Sequence, residues 1–119
     1  MPYVDGFVVP VPKNKLDEYK RWARKASKVW KEHGALSYTE CLGDDVPVGK
    51  VTSFTRAVQL KRGETVVFAW ITYRSRQHRD AVIKKVLADP RLADQMDTKK
   101  APFDGARMIY GGFKSMVDA

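Results

Sequence analysis

Thr65-Val66-Val67-Phe68-Ala69-Trp70-Ile71-Thr72-Tyr73 is the longest apolar run in the chain, rich in β-branched and aromatic residues, with Gly63 before it and Ser75 after it. Nine residues of that composition predict a central strand buried on both faces, not a helix. Everything else in the chain is arranged to cover it.

Working outward, Tyr3 to Val9 is apolar on both parities and reads as a second buried strand, ended by Pro10 and Pro12. A helix is predicted from about Asn14 to His33, with Asn14 as cap and Gly34 as stop. Leu16, Tyr19, Ala23, Ala26, Trp30 and His33 form its apolar stripe, flanked by Trp22 and Val29. Ala35 to Leu42 predicts a third strand, with Tyr38, Glu40 and Leu42 on one face. A short helix or turn is expected near Ser53 to Val58. Ser75 caps a second long helix running to about Ala88, and Asp89-Pro90 opens a short third one through Met96. Arg107 to Phe113 is the last strand, bent or closely approached at Gly111-Gly112.

The order β-α-β-β-α-β predicts a ferredoxin-like α+β fold: an antiparallel sheet with two helices on one face, as a single domain over residues 1–119. The 119-residue length allows one core. No apolar run approaches the ~20 residues a membrane span needs, and no signal-peptide pattern opens the chain. With one cysteine, Cys41, the expectation is a cytoplasmic protein without disulfides, metal or cofactor. The net charge is +8. Eight basic and three acidic residues lie between Lys13 and His33, which a solvated helix face accounts for. Only weak, sequence-independent nucleic-acid binding is expected from it.

Two helices cover only one side of such a sheet. The reading places Gly6, Ala69 and Gly112 under the first helix, and Tyr3, Asp5, Phe7, Phe68, Trp70, Arg107, Ile109 and Phe113 on the helix-free face. An apolar patch of that size needs a cover. A second copy of the chain, packed sheet to sheet, is the expected one, with Asp5 and Arg107 paired on that face, within one chain or across the dimer. RNA is the alternative cover: Phe68 to Tyr73 and Tyr3 partly fit the aromatic positions of an RNA-recognition motif. The basic-then-glycine start of that motif is replaced here by Val66-Val67, and Asp5 would repel phosphate.

Five segments carry a resemblance. They are Tyr3-Val4-Asp5-Gly6-Phe7-Val8-Val9-Pro10-Val11-Pro12, Val29-Trp30-Lys31-Glu32-His33-Gly34-Ala35-Leu36, Asp44-Asp45-Val46-Pro47-Val48-Gly49-Lys50, Asp89-Pro90-Arg91-Leu92, and Pro102-Phe103-Asp104-Gly105-Ala106-Arg107-Met108-Ile109-Tyr110-Gly111-Gly112-Phe113. Together they resemble the YbaA-like family of uncharacterised bacterial proteins, nearly end to end. The resemblance implies a dimeric α+β barrel and no particular activity. The wider superfamily contains cofactor-independent oxygenases, haem enzymes and plain binding proteins, so fold alone assigns no chemistry.

The chemical candidates are few. Trp22 and Trp30 either pack the core or wall a small-molecule cleft between the first helix and the sheet, with Tyr73, Tyr110 and Cys41 as further lining. His33 either serves the helix dipole or acts as a general base at the cleft rim. His78 is expected to be a packed histidine. The Asp44–Lys50 loop is a candidate lid or dimer contact. The enzyme reading is cofactor-independent oxidation or isomerisation of a small apolar molecule that could carry an anionic group; the competing reading is a binding or interaction module without chemistry.

Overall fold

The computed structural model describes residues 2–92 and 101–119. The chain runs β1 (Tyr3–Pro12), α1 (Leu16–Glu32), β2 (Ser37–Leu42), α2 (Phe54–Ala57), β3 (Glu64–Tyr73), α3 (Arg76–Leu87) and β4 (Ile109–Lys114). Single 3₁₀ turns at Lys13–Lys15, Pro90–Leu92 and Gly105–Arg107 join them. The sheet is antiparallel in the order β2-β3-β1-β4. This is a ferredoxin-like α+β fold, built around the Thr65–Tyr73 run as an inner strand.

Local chemistry sets the element ends. Ser75 Oγ accepts from His78 N at 3.1 Å and caps α3. Ser53 Oγ does the same for α2 through Arg56 N. Gly34, at φ +116°, turns the chain out of α1 in a conformation that favours glycine. Of the expected third helix, Pro90–Leu92 is a 3₁₀ turn; the remainder lies outside the described residues.

Register fixes the two faces. Tyr3 stands opposite Tyr73, Asp5 opposite Ile71, Phe7 opposite Ala69 and Val9 opposite Val67. These residues share the side covered by α1 and α3, where Val29, Val82, Val86 and Leu92 bury Ile71 and Tyr73. The expected placement of Tyr3, Asp5 and Phe7 on the helix-free face is therefore corrected, and so is that of Gly6 under the first helix. A strand apolar on both parities carries no period-2 signal, and one step of phase exchanges its faces. Phe68 and Trp70 do lie on the helix-free face, beside Val4 and Val8, and so do Ile109 and Phe113.

That face is not bare along its whole length. The connection from β2 to β3 folds over one end of it, where Val46, Val58 and Leu60 pack on Val8 and Val66. Phe54 of α2 sets its ring edge against Phe68, 5.7 Å between centroids. Arg56 latches the Asp44–Lys50 loop by donating to the carbonyls of Val48 and Gly49, each at 2.9 Å.

Gly112 shows why the last strand needs glycine there. A Cβ would fall against Arg79 Nη2 and the Tyr3 hydroxyl, and 2.9 Å from Tyr3 Cε2. Bare backbone is what lets α3 lay Arg79 across β1 and β4.

Candidate functional site

Where α1 crosses the sheet, the small residues Ala26 and Ala69 both border an open space. This space is a cavity of about 300 Å³. Its floor is Phe7, Val9, Ala69 and Ile71; Tyr19, Trp22 and Trp30 hang from α1; Tyr38 and Glu40 stand at the β2 side. Phe103 and Met108, from the segment before β4, line a further side. Phe103 is clasped edge-on by Tyr19 and Trp22, with ring centroids 5.7 and 5.2 Å away. The volume lies at the small end of the ~300–1,000 Å³ range of small-molecule sites, room for one or two fused rings.

Among the described residues, one carboxylate lines this apolar space. Glu40 shares a face of β2 with Tyr38 and Leu42, and its register partner is Ala69, the cavity floor. Tyr38 donates its hydroxyl to Glu40 Oε2 at 2.8 Å, and Tyr19 donates to Oε1 from α1. No ion pair reaches Glu40 among the described residues. Burial pushes its carboxyl above the usual range, against the opposing pull of the Tyr19 and Tyr38 hydrogen bonds. Burial and the Glu40 charge push both tyrosine hydroxyls upward as well, so they stay protonated donors. Glu40 and Tyr19 also line a second, outer groove of about 190 Å³, whose rim carries Lys20 and Arg24. The carboxylate thus stands in a wall between the cavity and a basic groove.

Of the residues expected to form the site, Trp22 and Trp30 line the cavity. Tyr73 lies behind it, fully buried; Trp30 Nε1 donates to its hydroxyl at 3.1 Å. Tyr110 is 73% exposed and stacks on Phe7 from β4, outside the lining. Cys41 does not line the cavity: its register partner is Phe68, and it is exposed. The same alternation that aims Tyr38 and Glu40 inward turns Cys41 away.

His33 is also outside. It caps the C-terminus of α1, and its Nε2–H donates to Asp89 Oδ2 at 2.8 Å. Arg91 joins Asp89 to Glu32, at 2.8 and 2.6 Å. Arg91, then His33, holds the Asp89 carboxyl well below the usual carboxylate range. The histidine belongs to a surface ion cluster at the end of α1. His78 packs its ring edge-on to Tyr73 and accepts from Arg74 N at 3.0 Å.

The Asp5–Arg107 pair is not formed. Arg107 sits in the 3₁₀ turn before β4 and grips both Glu64 oxygens, at 2.8 and 2.6 Å, with Asp104 at 2.9 Å. Glu64 is the register partner of Pro12. Asp5 lies seven residues up β1, roughly 23 Å away at ~3.3 Å per residue. Its partner is Arg79, 3.2 Å away.

Glu40 is the residue the sequence reading left out. An acidic side chain on the same strand face as Tyr38 and Leu42 was the available signal, because a carboxylate there must be either solvated or held.

Comparison with known proteins places the fold and the family. Residues 2–105 match the family described as "Protein of unknown function (DUF1428)". The chain is 52% identical over 118 residues to the uncharacterized protein YbaA of Escherichia coli K12, covering 99% of each, and equally to YbaA of Shigella flexneri. Among solved structures it resembles a dimeric ferredoxin-like protein from an uncultured marine organism (TM-score 0.61, 13% identity, 100% of both chains). It also resembles an uncharacterized NIPSNAP domain protein from Burkholderia xenovorans (TM-score 0.56, 13% identity, 98% and 97% covered). At those identities the likeness is one of fold. The chain belongs to the YbaA-like DUF1428 family.

Proposed function

We propose that this is a cytoplasmic homodimer that binds a small, mostly apolar, uncharged molecule in the cavity between α1 and the sheet. One observation carries the reading: about 300 Å³ of space walled by aromatic rings holds, among the described residues, a single carboxylate, Glu40, with hydroxyls on both of its oxygens. A core without a ligand would gain by closing such a space, since an unfilled cavity costs stability roughly in proportion to its volume, at ~24 cal/mol per Å³. The anionic ligand considered from the sequence is disfavoured, because no lysine or arginine lines the cavity among the described residues.

The dimer would use the helix-free face. Phe68, Ile109 and Phe113 are 44, 44 and 64% exposed there, and a relative of the same fold is described as dimeric. Dimerisation and ligand binding use opposite faces of the sheet, so each can be tested without the other.

The experiment is a thermal-shift and NMR screen of neutral aromatic and alicyclic molecules. Wild type would be compared with Ala69→Leu, which fills the floor, and with Met108→Trp, which fills from the segment before β4. A ligand that raises Tm in wild type and in neither variant supports the cavity. If no neutral ligand of one or two rings binds wild type, or if binding is unchanged in both filled variants, the reading is wrong.

A further inference from the structure

We propose that Glu40 is the general base of a cofactor-free proton shift, an enolisation or double-bond isomerisation, on a neutral cyclic or aromatic ketone held in the cavity. The inference rests on the cavity reading and deepens it by naming a reaction, a residue and a substrate class.

Three features of the geometry converge on it. Glu40 is the one carboxylate on the cavity wall among the described residues, where no histidine or lysine stands beside it. It is aimed and held by Tyr38 at 2.8 Å along its own strand and by Tyr19 from α1, so it is fixed before any substrate arrives. It also borders the outer groove with Tyr19, so a proton taken on the cavity side can be exchanged with water on the other. Burial raises its proton affinity, which brings a carboxylate closer to the strength a general base needs near neutral pH.

The step balances without a co-reactant. The C–H bond α to the ketone breaks, and its electron pair forms the carbon–carbon double bond of an enolate as the carbonyl π pair moves onto oxygen. The proton passes to a Glu40 oxygen. Glu40 then returns a proton to the oxygen, giving the enol, or to the far carbon of a conjugated system, giving the isomer. Composition and oxidation level are unchanged. The apolar walls keep water from the enolate, and Tyr19 and Tyr38 act as positioning residues that hold the base.

The test uses 2-tetralone and phenylacetone as probes with the full-length protein in deuterated buffer. Loss of the α-hydrogen signal is followed by NMR, and binding by thermal shift on the same samples. Wild type should accelerate exchange over buffer, and Glu40→Gln should lose on the order of 10²-fold or more of that rate while still binding the ketone. Glu40→Asp, with its shorter side chain, should fall between them. The rate should rise with pH through the Glu40 titration, and Tyr38→Phe should move the midpoint of that rise. If the ketones bind wild type and Glu40→Gln alike and neither accelerates exchange, the proton-shift assignment fails and the binding reading stands. If neither ketone binds wild type, the proton-shift assignment falls, and the binding reading falls with it only if no other neutral one- or two-ring molecule binds either. If benzylamine binds in a Glu40-dependent way while ketone exchange stays at the buffer rate, Glu40 recognises a cation and the assignment is overturned.

Discussion

Arg79 Nε stands 3.2 Å from Asp5 Oδ1, joining the first turn of α3 to the first strand across 74 positions of sequence. Arg79 Nη2 also donates to the Tyr3 hydroxyl, and the guanidinium lies 5.0 Å from the centre of the Tyr3 ring. Asp5 is 7% exposed. Burial raises its carboxyl from the ordinary range by more than Arg79 and Tyr73 lower it. The pair is thus held by geometry against a desolvation cost. Arg79→Met would leave Asp5 buried without its cation and should cost about 3 kcal/mol. The double variant Asp5→Leu with Arg79→Met should recover most of that. Urea unfolding of the three proteins measures it, and an unchanged midpoint in Arg79→Met would refute the assignment.

What could be read from sequence was what is local. The Ser75 cap, the Gly34 stop and the stripe of α1 each act within a few residues, and α3, the end of α1 and its buried face stand where they put them, whereas Asn14 does not cap α1, which starts at Leu16 after the Lys13–Lys15 turn. Strand phase was the failure. Val67, Ala69 and Ile71 mark a face because Phe68 and Trp70 differ from them. Tyr3 to Val9 offers no such contrast, so its pattern does not say which side its aromatic residues take. One error carried Asp5 into a pairing with Arg107. The buried Asp5 charge held the correction, since a cation from a covering helix is what such a carboxylate needs. The cavity depends on Phe103 meeting Tyr19 and Trp22, and on Glu40 meeting Tyr19, contacts that no local pattern encodes.

The pH dependence of stability should carry the mark of Glu40. Its folded-state pKa lies above the ordinary 4.5, so between the two values the folded protein binds more protons than the unfolded chain. Stability therefore falls as pH rises through that window, and the loss is complete above the folded value. Asp5 has the same sign, while Glu64 and Asp104, lowered chiefly by Arg107, have the opposite one. Those groups are common to wild type and Glu40→Gln and cancel between them. The stability of Glu40→Gln relative to wild type should therefore increase as pH rises above the ordinary 4.5 and level off once pH passes the raised folded-state value. A difference that is flat over this range would show that Glu40 titrates alike in both states.

Nucleic-acid binding should be weak and electrostatic. Lys20, Arg21, Arg24, Lys25, Lys28 and Lys31 are all exposed on α1. Tyr3 is buried on the opposite face from Phe68 and Trp70, so the β1 and β3 aromatics do not form one stacking platform. Filter binding to a mixed single-stranded RNA should fade between about 50 and 200 mM salt. It should weaken in Lys25→Glu with Lys28→Glu and be indifferent to Phe68→Ala. Salt-resistant binding lost in Phe68→Ala would reverse this.

The helix-free face should set the oligomeric state. Its strand positions Val4, Val8, Phe68, Trp70, Ile109 and Phe113 carry no charge, and Glu64, at the start of β3 on the same face, is paired with Arg107. The β2–β3 connection covers only the Val8 and Val66 end, and Phe54 extends that cover to Phe68 without closing over it. A second sheet meeting this one about a two-fold axis would bury the remainder, the cover expected of an apolar patch in water. Light scattering at about 10 µM, well above the Kd of an ordinary stable dimer, should therefore report two chains. Trp70→Lys would place a charge in that interface without a partner, and should yield a folded monomer or weaken the dimer by 100-fold or more, on the order of 3 kcal/mol. Phe113→Lys, at a more exposed position, should dissociate the dimer with less risk to the fold. A wild-type monomer at that concentration would leave the face without this cover and end the dimer proposal, while ligand binding on the other side of the sheet could still be measured.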